Sequence, residues 1–416
     1  MTGKTDERRA PGRSRTFGSI AVAAILLFVL LGVWVLRAGP ADLRGVEWVV
    51  PSPRGEWIAL SGPARWHRPV FLENVRTRAF VRAAFSRGTV PVISPDGSTA
   101  AWTAIEPGFP DSTFTPRTVS LADPRHPGTS WETRGLHENP LLLFSPDARR
   151  LAIIASDRVA VWDAGSGRML AAAKPAAPLW KESRGFTGAT FVGDDLLRIF
   201  AARPAAGGGT SIEFLELDVA AKRFRSTGSA GPFRRTFPII ASPDRSRLLV
   251  REARAAVHLL DGETGRTIVV FSGAASFRSA CFLSDGRIVL FESENGAGRL
   301  RTLSADGAEL SSFPVAGEER AWFVGETRPG QLMLAAFSGR GDAGTRRVIV
   351  ADLVRGSVER WADDLLPASP YAANLAGDFG AAPAPGSLAT RLFFTRDRAL
   401  VELEGPGRIR RLLPNP

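Results

Sequence analysis

A short turn phrase returns through this chain at a nearly constant interval. It stands as Ser52-Pro53-Arg54-Gly55, Ser94-Pro95-Asp96-Gly97, Ser145-Pro146-Asp147-Ala148, Gly193-Asp194-Asp195, Ser242-Pro243-Asp244-Arg245 and Ser284-Asp285-Gly286. With Val192 and Leu283 at the serine positions, the starts at 52, 94, 145, 192, 242 and 283 lie 42, 51, 47, 50 and 41 residues apart. Weaker copies fall near Arg328-Pro329-Gly330 and Pro385-Gly386-Ser387. A period of about 40–50 residues means units stacked in an array or a ring, because one such unit cannot bury its apolar face alone.

The phrase has the chemistry of a tight turn. Proline presets φ at the second position, aspartate bonds locally at the third, and glycine tolerates the fourth. β-type runs flank it: Val90 to Ile93 and Thr99 to Ala104 around one copy, Leu141 to Phe144 and Leu151 to Ala155 around the next. About 16–20 residues later comes a second turn, nearly identical in Asp163-Ala164-Gly165-Ser166-Gly167-Arg168 and Asp261-Gly262-Glu263-Thr264-Gly265-Arg266, with Ser304-Ala305-Asp306-Gly307 as a variant. Each unit therefore reads strand A, turn, strand B, loop, strand C, turn, strand D. No amphipathic helical period occurs after Arg44, so the class is all-β.

The Ser-Pro-Asp-Gly turn and its apolar strand, followed by Val159-Ala160-Val161-Trp162-Asp163 and Gly165-Ser166-Gly167, resemble the WD40-like (PD40-type) repeat of TolB-like β-propellers. The resemblance covers most of residues 46–412 and is closest over 94–104, 145–170 and 242–271; the Gly-His pair of WD40 repeats proper is missing throughout. It implies a propeller of four-stranded antiparallel blades. Over 46–412 a unit of about 46 residues gives eight blades, the last from about Tyr371, with seven as the alternative. In such blades the A–B and C–D turns share one face, and the B–C and D–A connections share the other. The irregular stretches fall in the second class: 106–116, 203–210 and 339–346 as B–C loops, and 175–186 as a D–A loop. Variable loops on a rigid scaffold are where binding concentrates.

The N-terminus sets the expected compartment. Phe17 to Leu36 is an uncharged run of 20 residues. As a helix it would span about 30 Å, the thickness of the hydrocarbon core. Lys4, Arg8, Arg9, Arg13 and Arg15 precede it against Asp6 and Glu7, and only Arg37 follows at once. The positive-inside rule then makes residues 1–16 a cytoplasmic basic tail, 17–36 a transmembrane helix, 37–45 a short tether and 46–416 an extracytoplasmic propeller, periplasmic or at the cell surface. Arg-Ala-Gly-Pro at 37–40 is a poor signal-peptidase site, which favours an uncleaved anchor. The tether puts the B–C/D–A face toward the membrane, with Arg37, Arg44, Arg65 and Arg68 near head groups.

Composition removes several chemistries. Cys281 is the only cysteine, which excludes an internal disulfide, a Cys-based zinc site and a CxxC pair. It is expected to be a buried, inert residue of an innermost strand. Of the 53 basic residues four are lysines (Lys4, Lys174, Lys181, Lys222) and 49 are arginines, giving a net charge of +11. No basic block or nucleic-acid module accompanies that charge, so the expectation is attraction to anionic surfaces rather than nucleic-acid recognition. No GxSxG elbow, HExxH, EF-hand loop or helix-opening GxGxxG is present. Asp194-Asp195 reads as turn chemistry. His258, in Ala256-Val257-His258-Leu259-Leu260, reads as a strand side chain with a local partner. The reading assigns no catalytic, cofactor or metal residues.

The candidate binding face comprises Trp66, His67, Arg68, Trp131, Glu132, His137, Trp180, Lys181 and Arg184, aromatics and histidines flanked by charge in the predicted loops. Trp57, Trp102 and Trp162 read instead as packing between blades. The function expected is a membrane-anchored scaffold or protein-binding module, possible within an envelope complex. The alternatives are a propeller enzyme (lyase, hydrolase or dehydrogenase) or a glycan-binding module at the axial funnel.

Overall fold

A computed structural model describes residues 48–412 apart from 53–55, 62–67, 78, 87–90, 107–112, 122–139, 180–185, 235, 253–255, 273–275, 317, 319, 339–344, 368–390 and 396–399. The basic tail, the apolar run and the tether lie outside the described residues. Gly45–Asn415 form one compact unit. Among the described residues no helix is long and apolar enough to cross a membrane.

The described elements are strands, and each sheet is contiguous in sequence. Blade 1 holds β1 (Trp48–Pro51), β2 (Trp57–Ser61), β3 (Arg68–Asn74) and β4 (Phe80–Ser86); blade 2 holds β5 (Val92–Ile93), β6 (Thr99–Glu106) and β7 (Thr113–Ser120). Blade 3 is β8 (Leu141–Phe144), β9 (Arg150–Ile154), β10 (Val159–Asp163) and β11 (Met169–Ala173). Blade 4 is β12 (Phe186–Phe191), β13 (Leu196–Pro204), β14 (Thr210–Asp218) and β15 (Arg223–Phe233). Blade 5 is β16 (Thr236–Ala241), β17 (Arg247–Glu252), β18 (Ala256–Asp261) and β19 (Thr267–Ser272). Blade 6 is β20 (Ser276–Phe282), β21 (Ile288–Glu294), β22 (Ala297–Leu303) and β23 (Glu309–Val315). Blade 7 is β24 (Arg320–Arg328), β25 (Gln331–Ser338), β26 (Thr345–Asp352) and β27 (Ser357–Asp363). Blade 8 is β28 (Leu366–Pro367), β29 (Leu392–Phe394), β30 (Leu400–Gly405) and β31 (Arg408–Arg411). All neighbours pair antiparallel, which makes an eight-bladed β-propeller. The first strands of blades 1 to 7 touch in succession, as β20 and β24 do, so they are the innermost.

The blades cohere through apolar layers between sheets. Trp57 and Trp102 lie between blades 1 and 2, and Trp162 between blades 2 and 3, each under 9% exposed, as expected of packing tryptophans. Further layers join blades 3 to 4, 4 to 5, 5 to 6, 6 to 7 and 7 to 8. Fully buried rings such as Phe200, Phe214, Phe291 and Phe393 each contribute about 1.5–3 kcal/mol over exposure. The described C–D pairings all carry a register shift, which twists the outer edge and discourages edge-to-edge pairing.

The turn phrase acts through its serine. Ser94 Oγ accepts the Thr99 N–H at 2.9 Å and donates to Asp96 at 2.6 Å, while Asp96 accepts the Ser98 N–H at 3.0 Å. Ser145 with Asp147 and Ser242 with Asp244 repeat this, taking the Arg150 and Arg247 N–H groups at 2.9 Å. The fourth position is left-handed in all three, at Gly97 (φ 71°), Ala148 (62°) and Arg245 (61°). The C–D turns use the aspartate that ends strand C. Asp163, Asp261 and Asp352 accept the Ser166, Thr264 and Arg355 N–H groups at 2.7, 2.8 and 2.9 Å.

Two expectations need correction. Blade 8 begins at Leu366, ahead of Tyr371, and residues 368–390 between its first two strands lie outside the described residues. Leu366 faces Phe394 and Pro367 faces Phe393 across the first two strands of this blade. The B–C loop of blade 2 is also shorter than 106–116, because Ile105 pairs with Phe114 and Glu106 with Thr113.

Candidate functional site

The A–B/C–D face spends its polar groups on itself. Besides the turn networks, it carries a buried ionic contact between blades 4 and 5. Arg198 on β13 is buried with Glu216 on β14, its Nε 3.0 Å from Glu216 Oε1, and it also donates to the Gly262 carbonyl of blade 5. Arg225 on β15 holds the second Glu216 oxygen at 2.9 and 2.6 Å. Burial opposes ionisation of Glu216, but the two guanidiniums outweigh it and hold its carboxyl below the usual range. Arg245 Nε donates to Thr190 Oγ1 at 2.6 Å across the same junction. Gly265 (φ 72°) sits so close to Phe214 that a Cβ would lie 2.7 Å from the ring. Arg150 of blade 3 reaches Asp195 of blade 4 at 2.8 Å, so this member of the Asp194-Asp195 pair serves a blade junction.

The B–C/D–A face is different. On blade 5, His258 Nε2 lies 3.0 Å from Glu252, whose other oxygen accepts the Arg234 N–H at 2.8 Å. The imidazole meets the Phe233 ring edge-on, centroids 4.9 Å apart. The Arg234 N–H first, with His258 and against burial, holds the Glu252 carboxyl below its ordinary value. A histidine–carboxylate pair is part of a proton relay, but no hydroxyl or thiol bonds to this imidazole among the described residues. Its role here is to tie the β15–β16 connection to strand C. Between blades 3 and 4, Arg203 pairs with Glu213 at 2.8 Å and donates to the Pro178 carbonyl, pinning the connection that continues into Trp180.

Blade 7 shows the feature most suited to recognition. Among the described residues seven large apolar side chains are exposed: Met169, Val270, Leu310, Val358 and Ile409 on outer strands, Val354 in a C–D turn, and Trp322 on an innermost strand. Trp322 is 42% exposed and meets Phe337 with centroids 4.7 Å apart and planes tilted by 55°. Ala321 and Ala336 pack toward blade 6, whereas Val324, Met333 and Val348 pack toward blade 8. Strand alternation therefore turns Arg320, Trp322, Phe337 and Arg346 toward blade 8. Arg320 pairs with Phe337, and Phe337 with Arg346, forming one row across three strands at the loop end. Among the described residues the inner strands of blade 8 have two and three residues, against nine and eight in blade 7.

The named face residues Trp66, His67, Trp131, Glu132, His137, Trp180, Lys181 and Arg184 lie outside the described residues, and of Arg68 only its place at the start of β3 is described. Trp322 and Phe337 were missed by sequence reasoning. No local signal set them apart: Arg320, two residues before Trp322, is one of 49 arginines in the chain. Cys281 lies in β20, partly buried at the edge of the blade 6–7 layer. Burial, then the nearby Glu326 carboxylate, pushes its thiol well up, which disfavours the reactive thiolate. Among the described residues no group of three or more His, Cys, Asp or Glu could hold a metal ion.

No protein-family model and no curated protein matches the chain. Solved structures do. A eukaryotic initiation factor is similar at a TM-score of 0.54 and 12% identity, over 90% of each chain. Dipeptidyl peptidase 4 of Porphyromonas gingivalis is similar at 0.51 and 10% identity, over 80% of this chain and 54% of that one. The C-terminal WD40 domain of Sif2 is similar at 0.47 and 16% identity, over 75% and 83%. At such identities the likeness is one of fold alone, and the eight blades rest on the sheets described above.

Proposed function

We propose that this chain is a membrane-anchored, extracytoplasmic β-propeller of TolB-like (PD40) kind that serves as a protein-binding module through its B–C/D–A face. The observation that carries the reading is Trp322, an exposed tryptophan on an innermost strand at that face. Aromatic and arginine side chains in such settings dominate protein recognition. The opposite face supports the reading by contrast, since its aspartates and serines are engaged in their own turns. The uncharged run 17–36 and its basic flank support the anchor and the orientation.

A photo-reactive residue tests the face in intact membranes. Ala206 and Glu294 are exposed at B–C loops, and Ala305 is exposed in a C–D turn. Cross-linked adducts are expected from positions 206 or 294 and not from 305. Adducts from 305 alone, or from none of the three, overturn the choice of face. Digestion of the propeller by protease added outside intact spheroplasts is expected, and protection there overturns the compartment.

A further inference from the structure

We infer that Asn295 is a site of self-modification: the Gly296 backbone nitrogen displaces its side-chain amide, leaving aspartate or isoaspartate in the B–C turn of blade 6. That turn joins β21 to β22, and Glu294 pairs with Ala297 across it, so Asn295 and Gly296 are the whole loop. Both are left-handed, at φ 49° and 82°. A two-residue hairpin of this hand needs positive φ at both positions, which Asn-Gly supplies at little strain. Turn chemistry thus accounts for the pair. The same pair leaves the attacking nitrogen least crowded, because glycine brings no Cβ beside it. Of the five asparagines, Asn74, Asn139, Asn295, Asn374 and Asn415, only Asn295 precedes glycine.

The surroundings favour the reaction at this asparagine over Asn74. Asn295 is exposed together with Glu294, Gly296 and Ala297, and its carboxamide makes no hydrogen bond among the described residues. Asn74 is 8% exposed, its Oδ1 accepts the Arg76 and Thr77 N–H groups at 3.0 and 2.9 Å, and Val75 follows it. The Gly296 nitrogen, once deprotonated, bonds to Asn295 Cγ; the Cγ–N bond of the carboxamide breaks, and the amide nitrogen leaves as ammonia. Water then opens the cyclic imide. Cleavage at Cγ gives aspartate, and cleavage at the main-chain carbonyl gives isoaspartate, with the backbone routed through Cβ. Ring closure needs the Asn295 ψ to leave its left-handed well, so only a hairpin open at its tip reacts. Opening costs the single Glu294–Ala297 rung, because Ser293–Gly298 and Glu292–Arg299 pair below it. Such tips lie at the low end of local stability, and the fold acts as a brake whose release sets the rate. Either product puts a second carboxylate beside Glu294 on the B–C/D–A face, and isoaspartate adds a backbone atom to a two-residue loop.

The experiment is incubation of the detergent-solubilised full chain in mildly alkaline buffer, which deprotonates the attacking nitrogen. Tryptic cleavage after Arg287 and Arg299 then releases residues 288–299 for mass spectrometry, with isoaspartate read by isoaspartyl methyltransferase labelling. The amide-to-acid mass change is expected at Asn295, with isoaspartate among the products, while Asn74 keeps its amide. A synthetic peptide of residues 288–299 is expected to convert severalfold faster than the folded chain, since it lacks the hairpin. The Asn295→Asp chain supplies the aspartate standard and is expected to show no isoaspartate over the same interval. Full retention of the Asn295 amide in the chain after the peptide has converted overturns the site, because the turn would then hold its atoms apart throughout. Conversion of Asn74 as fast as Asn295 overturns it as well, since that pattern reports unfolding of the ring. Aspartate at 295 without isoaspartate overturns the imide route. None of these outcomes touches the choice of binding face, which the cross-linking at positions 206, 294 and 305 decides.

Discussion

The two faces of this propeller are built from the same blades and use their polar residues in opposite ways. At the A–B/C–D face, a repeated local rule disposes of nearly every aspartate and serine. Ser242 closes on Asp244, Asp261 on Thr264, Arg198 on Glu216 and the next blade's Gly262. At the B–C/D–A face no phrase repeats, and the side chains answer to whichever neighbouring blade happens to lie beside them. Trp322 is 42% exposed there, and His258 is occupied there because Phe233 and Glu252 reach it. Repetition therefore marks where the ring holds itself together, and the departures from it mark where something else can be held.

The sharpest way to break this contrast is Glu216→Ala. The substitution leaves Arg198, 5% exposed, without its counter-charge in the blade 4–5 junction. Removing one partner of a buried pair costs about 3–5 kcal/mol, chiefly through the stranded charge. Urea unfolding should show that loss as a lower midpoint. A cost under about 1 kcal/mol would mean that water enters this junction and that the turn face is not the structural one. Replacing both partners, Arg198→Met with Glu216→Leu, should recover most of the stability.

A turn cap is worth less. Asp261→Ala removes the acceptor for the Glu263 and Thr264 N–H groups and the Thr264 hydroxyl, at about 1–2 kcal/mol. Several such carboxylates titrate together. Burial works against Asp147 and Asp261, but their hydrogen bonds and nearby arginines outweigh it; Ser166 at Asp163, Ser242 at Asp244 and the Arg355 N–H at Asp352 lead in lowering the others. Each folded value lies below its unfolded one. Their stabilisation is thus complete above about pH 4, where the unfolded carboxylates are ionised, and drains away as pH falls through the lower folded values. The melting temperature should fall on acidification through that window, and Asp261→Asn should make the fall shallower. An unchanged slope in Asp261→Asn would deny this turn its part in acid stability.

How much was legible follows the same division. The turn phrase named the strands on either side of it, because Pro-Asp-Gly chemistry acts within a few residues and needs no neighbour. Trp57, Trp102 and Trp162 could be recognised as packing residues because they sit in strands adjoining such turns. Trp322 sits in a strand as well, and nothing local distinguishes it from them. Its exposure is a property of the folded ring, which no residue near it in the sequence reports. A left-handed fourth turn position could be expected at Gly97, yet Ala148 and Arg245 adopt it too, since the Ser–Asp network sets the turn even without glycine.

The smallest effect on folding should come from the residue with the largest proposed effect on recognition. Trp322→Ala removes a ring that is 42% exposed and whose principal packing partner is Phe337. An aromatic pair of this kind is worth about 0.5–1.5 kcal/mol beyond its buried area, and at the solvent-facing end of a strand the lower end applies. By contrast Trp102→Ala would open a cavity between blades 1 and 2 at about 3–5 kcal/mol. Thermal unfolding of the two variants side by side therefore distinguishes a docking tryptophan from a packing one without any knowledge of the partner. If Trp322→Ala proved as costly as Trp102→Ala, blade 7 would need the ring for its own packing on Phe337, and Trp322 would be a structural residue. If the cost stays near 0.5 kcal/mol, the fold has no use for an exposed tryptophan at this position, and the ring's presence there is accounted for by what it binds.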